Sequence, residues 1–456
     1  MSDYRLENPA TGEVEKTFDT LDDAGVQDAL TRAQDAYLNW REVDPAARAE
    51  LLVKVADLYD ERAEELARII AREMGKPVNQ GLAELGLVSS IYRYYGEHGV
   101  AALSEEVLDV PGGPSVVRRD PIGVLLGIMP WNFPYYQVAR FAAPNLMLGN
   151  TILLKHAPIC ASSALVMEEI FRDAGLPEGA YVNVFISNEQ AEDVIADPRV
   201  QGVSLTGSER AGSAVAALAG KHLKKCVLEL GGSDAMIVLD SADLDATVKK
   251  ATVGRLGNAG QACNAPKRML VAEDLYDDFI TKLTASFEKW QPGDPLGEGT
   301  RMGPLSSADA LDRLLEQVQD AKDKGVTVRT GGDRVDGPGA FMQPTVLTDV
   351  TSDMRAYTEE LFGPVATVYK IASADEAIAF ANSSAFGLSG SVWTADEELA
   401  RSVADRLDVG MAYVNEHGTT LPGLPFGGVK RSGYGRELAS YGMDEFANRK
   451  LVRIKG

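Results

Sequence analysis

TILLKHAPICASSALVMEEIFRDAGLPEGAYVNVFI, residues 151–186, decides the fold class. TILLK (Thr151–Lys155) is a short apolar run of strand length, Ala164 to Ala174 keeps helical spacing until Gly175 stops it, and YVNVFI (Tyr181–Ile186) is a second strand. The rhythm continues downstream. GVSL (Gly202–Leu205) predicts a strand, Ser208–Ala219 a helix and KCVLEL (Lys225–Leu230) a further strand. Strands alternating with helices in this way predict a parallel sheet in an α/β domain.

Working outward, residues 24–75 read as two helices, with Leu30, Ala33, Tyr37 and Trp40, then Leu51, Val55, Leu58, Leu66, Ile69 and Ile70, near helical spacing. Residues 81–105 predict another helix, and Ser115–Asp120 and Gly123–Met129 two strands. A second alternation follows Cys263: RMLVA, helices at Leu275–Trp290 and Ala308–Lys324, TVRTGG, a helix at Asp375–Asn382, LSGSVWT, a helix at Glu397–Leu407 and GMAYVN. Two α/β modules side by side are expected, and LPGLPFGG (Leu421–Gly428) marks the end of the second.

The 456 residues exceed one ordinary core, and 45% hydrophobic with 25% charged residues suits a globular chain. No apolar run approaches the roughly 18 residues of a membrane helix. MSDYRLENPATGEVEK lacks the basic start and apolar stretch of a secretory signal. Three cysteines (Cys160, Cys226, Cys263) make no disulfide framework and suit a reducing cytoplasm. They do not cluster with the four histidines, so no metal site is expected. A net charge of −22, spread along the chain, disfavours nucleic acid. It fits either a high-salt cytoplasm, where a diffuse acidic surface keeps protein soluble, or an ordinary acidic cytosolic protein.

Several segments bear chemistry. In GNAGQACNAPKR (Gly257–Arg268) small residues surround Cys263, which suits a nucleophile mount, although a lone cysteine also serves as a small buried hydrophobe. TGSERAG (Thr206–Gly212) follows a strand and opens a helix, so Thr206, Gly207 and Ser208 offer N–H groups to a phosphate, or simply cap the helix. PWNFP (Pro130–Pro134) is a stiff turn in which Asn132 is either a donor to a developing oxyanion or a satisfied buried amide. In LELGGSD, Glu229 ends an apolar strand; burial raises a carboxyl pKa and suits a general base, unless a partner holds it. Lys155 in LLKHAP stands at a strand end, where α/β sheets bind ligands, or is a surface lysine.

The order and content of these segments resemble the aldehyde dehydrogenase superfamily over nearly the whole chain, from ENPATGE (Glu7–Glu13) to the tail. PWNFP, LELGG, GQAC, EELFGPV and PFGGVKRSG carry the resemblance jointly. Within it, KHAP, TGSERAG, KKCVLELGGSD and FGGVKRSGYGREL are most similar to the shorter bacterial and archaeal succinate-semialdehyde dehydrogenases. The resemblance implies an α/β fold with a Rossmann-like dinucleotide-binding domain (1–114 and 136–230), an α/β catalytic domain (231–424) and a small β oligomerisation arm (115–135 and 425–456). It implies NAD(P)-dependent oxidation of an aldehyde to an acid by a homodimer or homotetramer. Cys263 would be the nucleophile, Asn132 with the Cys263 N–H the oxyanion site, and Glu229 the base for the deacylating water. Lys155 and Glu360 would hold cofactor ribose groups, with Trp131 and Ser208 along the dinucleotide and Phe362 by the nicotinamide ribose. The thioester would be hydrolysed rather than passed to coenzyme A.

Pro158 stands where NAD-preferring relatives often carry a glutamate, three residues after Lys155, so either NADP or NAD is expected. Arg140, six residues after Pro134, is the expected fork for the distal carboxylate of succinate semialdehyde, or else a structural salt bridge. Tyr135, Tyr136 and Gln137 would line the same mouth. Gly257 replaces the second arginine that some relatives carry, which leaves a broad-specificity dehydrogenase of neutral aldehydes as the alternative substrate reading. Ala265 replaces a second cysteine and argues against a disulfide switch. A non-catalytic scaffold protein is the third reading, opposed by intact Cys263, Glu229 and Asn132.

Overall fold

Val124–Met129 (β1) is the apolar run VLLGIM, and all of it but Ile128 is buried. A strand buried on both faces needs strands beside it and helices above and below. The chain supplies them in alternation in this computed structural model, which describes residues 4–240 and 243–455. Pro134–Leu148 (α1), Thr151–His156 (β2), Ala161–Asp173 (α2), Tyr181–Asn183 (β3), Asn188–Ala196 (α3), Val200–Thr206 (β4), Glu209–Lys221 (α4) and Lys225–Glu229 (β5) follow in turn. These five strands are parallel and lie in the order 3-2-1-4-5, with Gly433–Tyr434 added antiparallel beside β5. In such a sheet the strand order reverses at β1, which opens a crevice beyond the carboxyl ends of β1 and β4.

Local chemistry fixes the helices. Ser187 and Gln190 form a reciprocal capping box on α3, and Ser208 accepts the Ala211 N–H at the start of α4. Pro134 opens α1, and Gly149, at φ 108°, ends it in a left-handed conformation that suits glycine.

A second sheet of seven strands runs 327–330, 345–348, 365–371, 266–272, 234–238, 389–393 and 411–414; only its first pair is antiparallel. Its members Asp234–Val238 and Val365–Ile371 were not expected as strands, because the glycines after Glu229 and the Gly363–Pro364 pair read as turns. A third, small sheet joins Glu106–Leu108, Ser115–Pro121 and Ala447–Arg453.

The expected domain limits need correction. Residues 115–135 do not form one arm, since Val124–Met129 is the strand at which the order of the six-stranded sheet turns and only Ser115–Pro121 belongs to the small sheet. Glu106–Leu108, placed with the dinucleotide-binding domain, pairs in the small sheet, whereas Gly433–Tyr434 leaves the expected arm to pair with β5. Residues 1–3, 241–242 and 456 of the expected ranges lie outside the described residues. The stretch 24–75 holds three helices, Asp23–Trp40, Pro45–Glu61 and Ala63–Met74, with a break at Arg62. Among the described residues, no helix is long and apolar enough to cross a membrane.

Candidate active site

The crevice at the strand reversal is a real cavity of about 260 Å³. Pro130, Trp131 and Asn132 leave the end of β1, and Thr206, Gly207 and Ser208 leave the end of β4 at the N-terminus of α4. Glu360 and Phe362 enter from the second sheet, and Cys263 lines the same cavity. Trp131 and Phe362 meet edge to face with ring centroids 5.7 Å apart. Glu360 is held by the Lys267 ammonium at 3.0 Å and by the Gly232 N–H at 3.1 Å. Its carboxylate lies over Gly231, where a Cβ would collide with Oε2. A helix N-terminus, a fixed carboxylate and an aromatic wall at a strand-order reversal fit a dinucleotide.

The loop that presents Cys263 is strained. Asn258, Ala259 and Gly260 are successively left-handed, at φ 52°, 51° and 74°. Two of the three are not glycine, so the surroundings must impose the turn. Buried Arg255 does so: it donates to the carbonyls of Gly260 (3.1 Å), Leu361 (2.6 Å) and Val365 (2.7 Å). Lys267 donates to the carbonyls of Ala262 (3.0 Å) and Cys263 (2.7 Å), and thereby ties the nucleophile loop to Glu360. The loop also grips PWNFP reciprocally. The Asn132 amide donates to the Gln261 carbonyl at 3.1 Å, and the Asn258 amide donates to the Asn132 carbonyl at 2.8 Å. Asn132 has a second amide hydrogen for the cavity it lines. Burial pushes the Cys263 thiol up to about 12; Arg140 and Lys267 oppose that shift, and Glu360 and Asp234 add to it.

A second cavity, about 440 Å³, is also lined by Cys263 and includes Phe133, Tyr136, Gln137, Trp290, His417 and Phe426 in its wall. Its one ammonium, Lys76, is ion-paired with Glu84. Burial draws the wall residue His417 down to about 4, so it is neutral near pH 7. Glu84 also accepts the Tyr135 and Tyr136 N–H groups at 3.0 and 3.1 Å, two donors left open by the first turn of α1. Lys76 and Glu84 thus hold the start of the helix that follows PWNFP.

Glu229 is 2% exposed, and both carboxylate oxygens lack a hydrogen-bond partner. Burial holds its carboxyl well above the ordinary range, Arg140 lowers it, Glu437 raises it, and Arg436 and Glu445 add smaller opposing effects. The carboxylate lies against Gly427, where a Cβ would sit 2.7 Å from Oε1. It does not line the cavity, although Leu230 and Gly231, the next two residues, do.

Of the residues expected from sequence, Cys263, Asn132, Trp131, Thr206, Gly207, Ser208, Glu360 and Phe362 share the first cavity, and Tyr136 lines the second. Lys155 is buried at the end of β2, and Pro158 opens the short turn that follows; neither lines either cavity. Arg140 requires a correction. It is fully buried, ion-paired with Glu437, and donates to the Tyr136 hydroxyl at 3.2 Å and to Thr206 Oγ1 at 3.4 Å. Its fork is committed inside the protein and lines neither cavity, so it does not await a substrate carboxylate. Tyr135 is likewise buried behind the wall. Sequence reading missed Lys267, Lys76 and Glu84. The signal for Lys267 is a lysine next to Arg268 at the head of the otherwise apolar strand Pro266–Ala272.

A family model described as the aldehyde dehydrogenase family matches residues 2–452. A succinate-semialdehyde dehydrogenase for NADP(+) from Deinococcus radiodurans is 56% identical over 446 residues, covering 98% of this chain and 94% of its own. One of the same description from Mycobacterium tuberculosis strain H37Rv is 44% identical over 450 residues, 98% of each chain. A crystal structure of succinic semialdehyde dehydrogenase from Streptococcus pyogenes, in complex with NADP+ as the cofactor, superposes with a TM-score of 0.97 at 42% identity, covering 99% of this chain and 100% of that one.

Proposed function

Because the chain belongs to the aldehyde dehydrogenase family, we propose that it oxidises succinate semialdehyde to succinate with NADP, and accepts NAD as well. The observation that carries the reading is the convergence of Cys263, Asn132, Glu360 and the start of α4 on one cavity. Trp131, Thr206, Gly207, Ser208, Glu360 and Phe362 would hold the dinucleotide there, with Lys155 and Pro158 at the end of β2 beside its adenosine. Pro158 carries no charge to repel a 2′-phosphate, and the named relatives take NADP.

Cys263, once deprotonated, attacks the aldehyde carbon to give a thiohemiacetal. The Asn132 amide and the Cys263 backbone N–H stabilise its oxyanion. A bound nicotinamide supplies the acceptor for the hydride that leaves this carbon. Cys263 then carries a thioester. Glu229 turns from Gly427 toward the cavity and takes a proton from the water that hydrolyses it. Its buried, partnerless carboxylate suits a base whose pKa lies nearer neutrality than an exposed glutamate's.

The second cavity favours a second substrate reading, a dehydrogenase of neutral aldehydes, because its one ammonium is already paired and Arg140 is committed elsewhere. One experiment separates these readings: kcat/KM for succinate semialdehyde and for butanal, each with NADP and NAD. The proposal expects preference for succinate semialdehyde, and equal values for the two aldehydes would replace it with the second reading. An NADP/NAD ratio of kcat/KM below about 0.01, roughly 2.7 kcal/mol against the 2′-phosphate, would overturn the cofactor assignment.

We infer further that the small sheet carries the contact between copies. Val107, Leu451 and Ile454 are 77%, 59% and 62% exposed along it. A cytoplasmic location suits the three free cysteines.

A further inference from the structure

Among the described residues, only Gln137 and Cys263 line both cavities. Gln137 sits in the first turn of α1, its backbone N–H donating to the Phe133 carbonyl at 3.0 Å, and it is 1% exposed. Its side-chain Oε1 is buried and has no hydrogen-bond partner. A buried acceptor left unpaired is destabilising, so an orphan on a residue shared by both cavities calls for a donor that arrives with the reaction. The aldehyde, its oxyanion and the thioester on Cys263 bring no donor hydrogen at the reacting carbon. The hydrolytic water brings two.

We propose that Gln137 positions the hydrolytic water of deacylation. This rests on the cysteine mechanism above. The Gln137 Oε1 accepts one hydrogen of the water and the Glu229 carboxylate, turned inward, accepts the other. A lone pair of the water is thereby aimed at the thioester carbon. As the C–O bond forms, one water proton passes to Glu229. The C–S bond breaks, its electron pair returns to the Cys263 sulfur, and the acid leaves, losing its remaining proton to solvent. No electrons are exchanged with an outside partner in this step. Glu229 lies against Gly427 and must move to act, whereas the Gln137 backbone is fixed on a helix whose residues are all buried and only its buried amide has to turn to meet the water.

The test uses the full-length enzyme with NADP and succinate semialdehyde, comparing wild type, Gln137→Met and Gln137→Glu. Stopped-flow absorbance gives the first-turnover rate of NADPH formation, steady-state assays give kcat, and acid-quenched intact mass gives the fraction of acyl-enzyme. Gln137→Met is expected to keep the first-turnover rate within about twofold of wild type while kcat falls at least about tenfold and acyl-enzyme accumulates. Gln137→Glu, which retains an acceptor, is expected to recover hydrolysis. The proposal is overturned if first turnover and kcat fall together, if neither changes, or if the main effect of Gln137→Met is weaker NADP binding by fluorescence titration. Failure of the underlying mechanism shows separately, in the wild type, as no NADPH from any aldehyde.

Discussion

At the residue scale the site is a set of atoms held by neighbours that do no chemistry. Asn132 is aimed by Gln261, and the Cys263 carbonyl is pinned by Lys267. Arg140 belongs to this class. Its guanidinium pairs with Glu437, stacks 4.1 Å from the Phe426 ring centroid and lowers the pKa of both Glu229 and Cys263. Arg140→Ala would strand a buried carboxylate at a cost of about 3–5 kcal/mol. We expect lower stability by urea unfolding, and kcat/KM reduced by similar factors for succinate semialdehyde and butanal. A KM rise confined to succinate semialdehyde would return Arg140 to the substrate. The arginine was visible in the sequence but its partner was not, since Glu437 lies nearly three hundred residues further on.

At the scale of elements, the molecule stabilises helix starts with buried carboxylates. Glu73 accepts the Ser162 and Ser163 N–H groups at the head of α2, and Glu84 accepts those of Tyr135 and Tyr136 at the head of α1. Glu84→Ala would leave both N–H groups and the Lys76 ammonium unpaired. A loss of about 3–5 kcal/mol is expected in urea unfolding, with a smaller loss in the double variant Lys76→Met/Glu84→Leu. A single-variant loss under about 1 kcal/mol would contradict this role. Neither carboxylate was legible as a cap, because each comes from another helix and not from the residue before the one it caps. Of 151–230 every strand and the helices α2 and α4 were legible, because continuous apolar runs bounded by glycine admit few other readings, but Asn188–Ala196 (α3) was not read as a helix. Val365–Ile371 was not, because Gly363 and Pro364 read as a turn and hid the strand that starts beyond them.

At the scale of the whole molecule, loops of the two mostly parallel sheets line one cavity. The first supplies Asn132 and the helix start of α4, and the second supplies Cys263 and Glu360. Motif order in the sequence announced this convergence, but it could not place Glu229, whose carboxylate turns away from the cavity that its neighbours line. The small sheet is the remaining large feature. Its strand Ala447–Arg453 pairs on one side only and bears exposed Leu451, an open edge that a second copy can cover. Val107→Lys with Leu451→Lys is expected to shift the enzyme to a smaller species in analytical ultracentrifugation without loss of helix content. An unchanged mass would contradict the assignment of the small sheet to a contact between copies.

Everything catalytic converges on the Cys263 sulfur, and peptide mass spectrometry after rapid acid quench interrogates it directly. Enzyme mixed with succinate semialdehyde and NADP should yield the Cys263 peptide carrying one succinyl group in thioester linkage, and Cys263→Ala should form neither adduct nor NADPH. An enzyme that forms NADPH while Cys263 stays unmodified and replaceable by alanine would contradict the account.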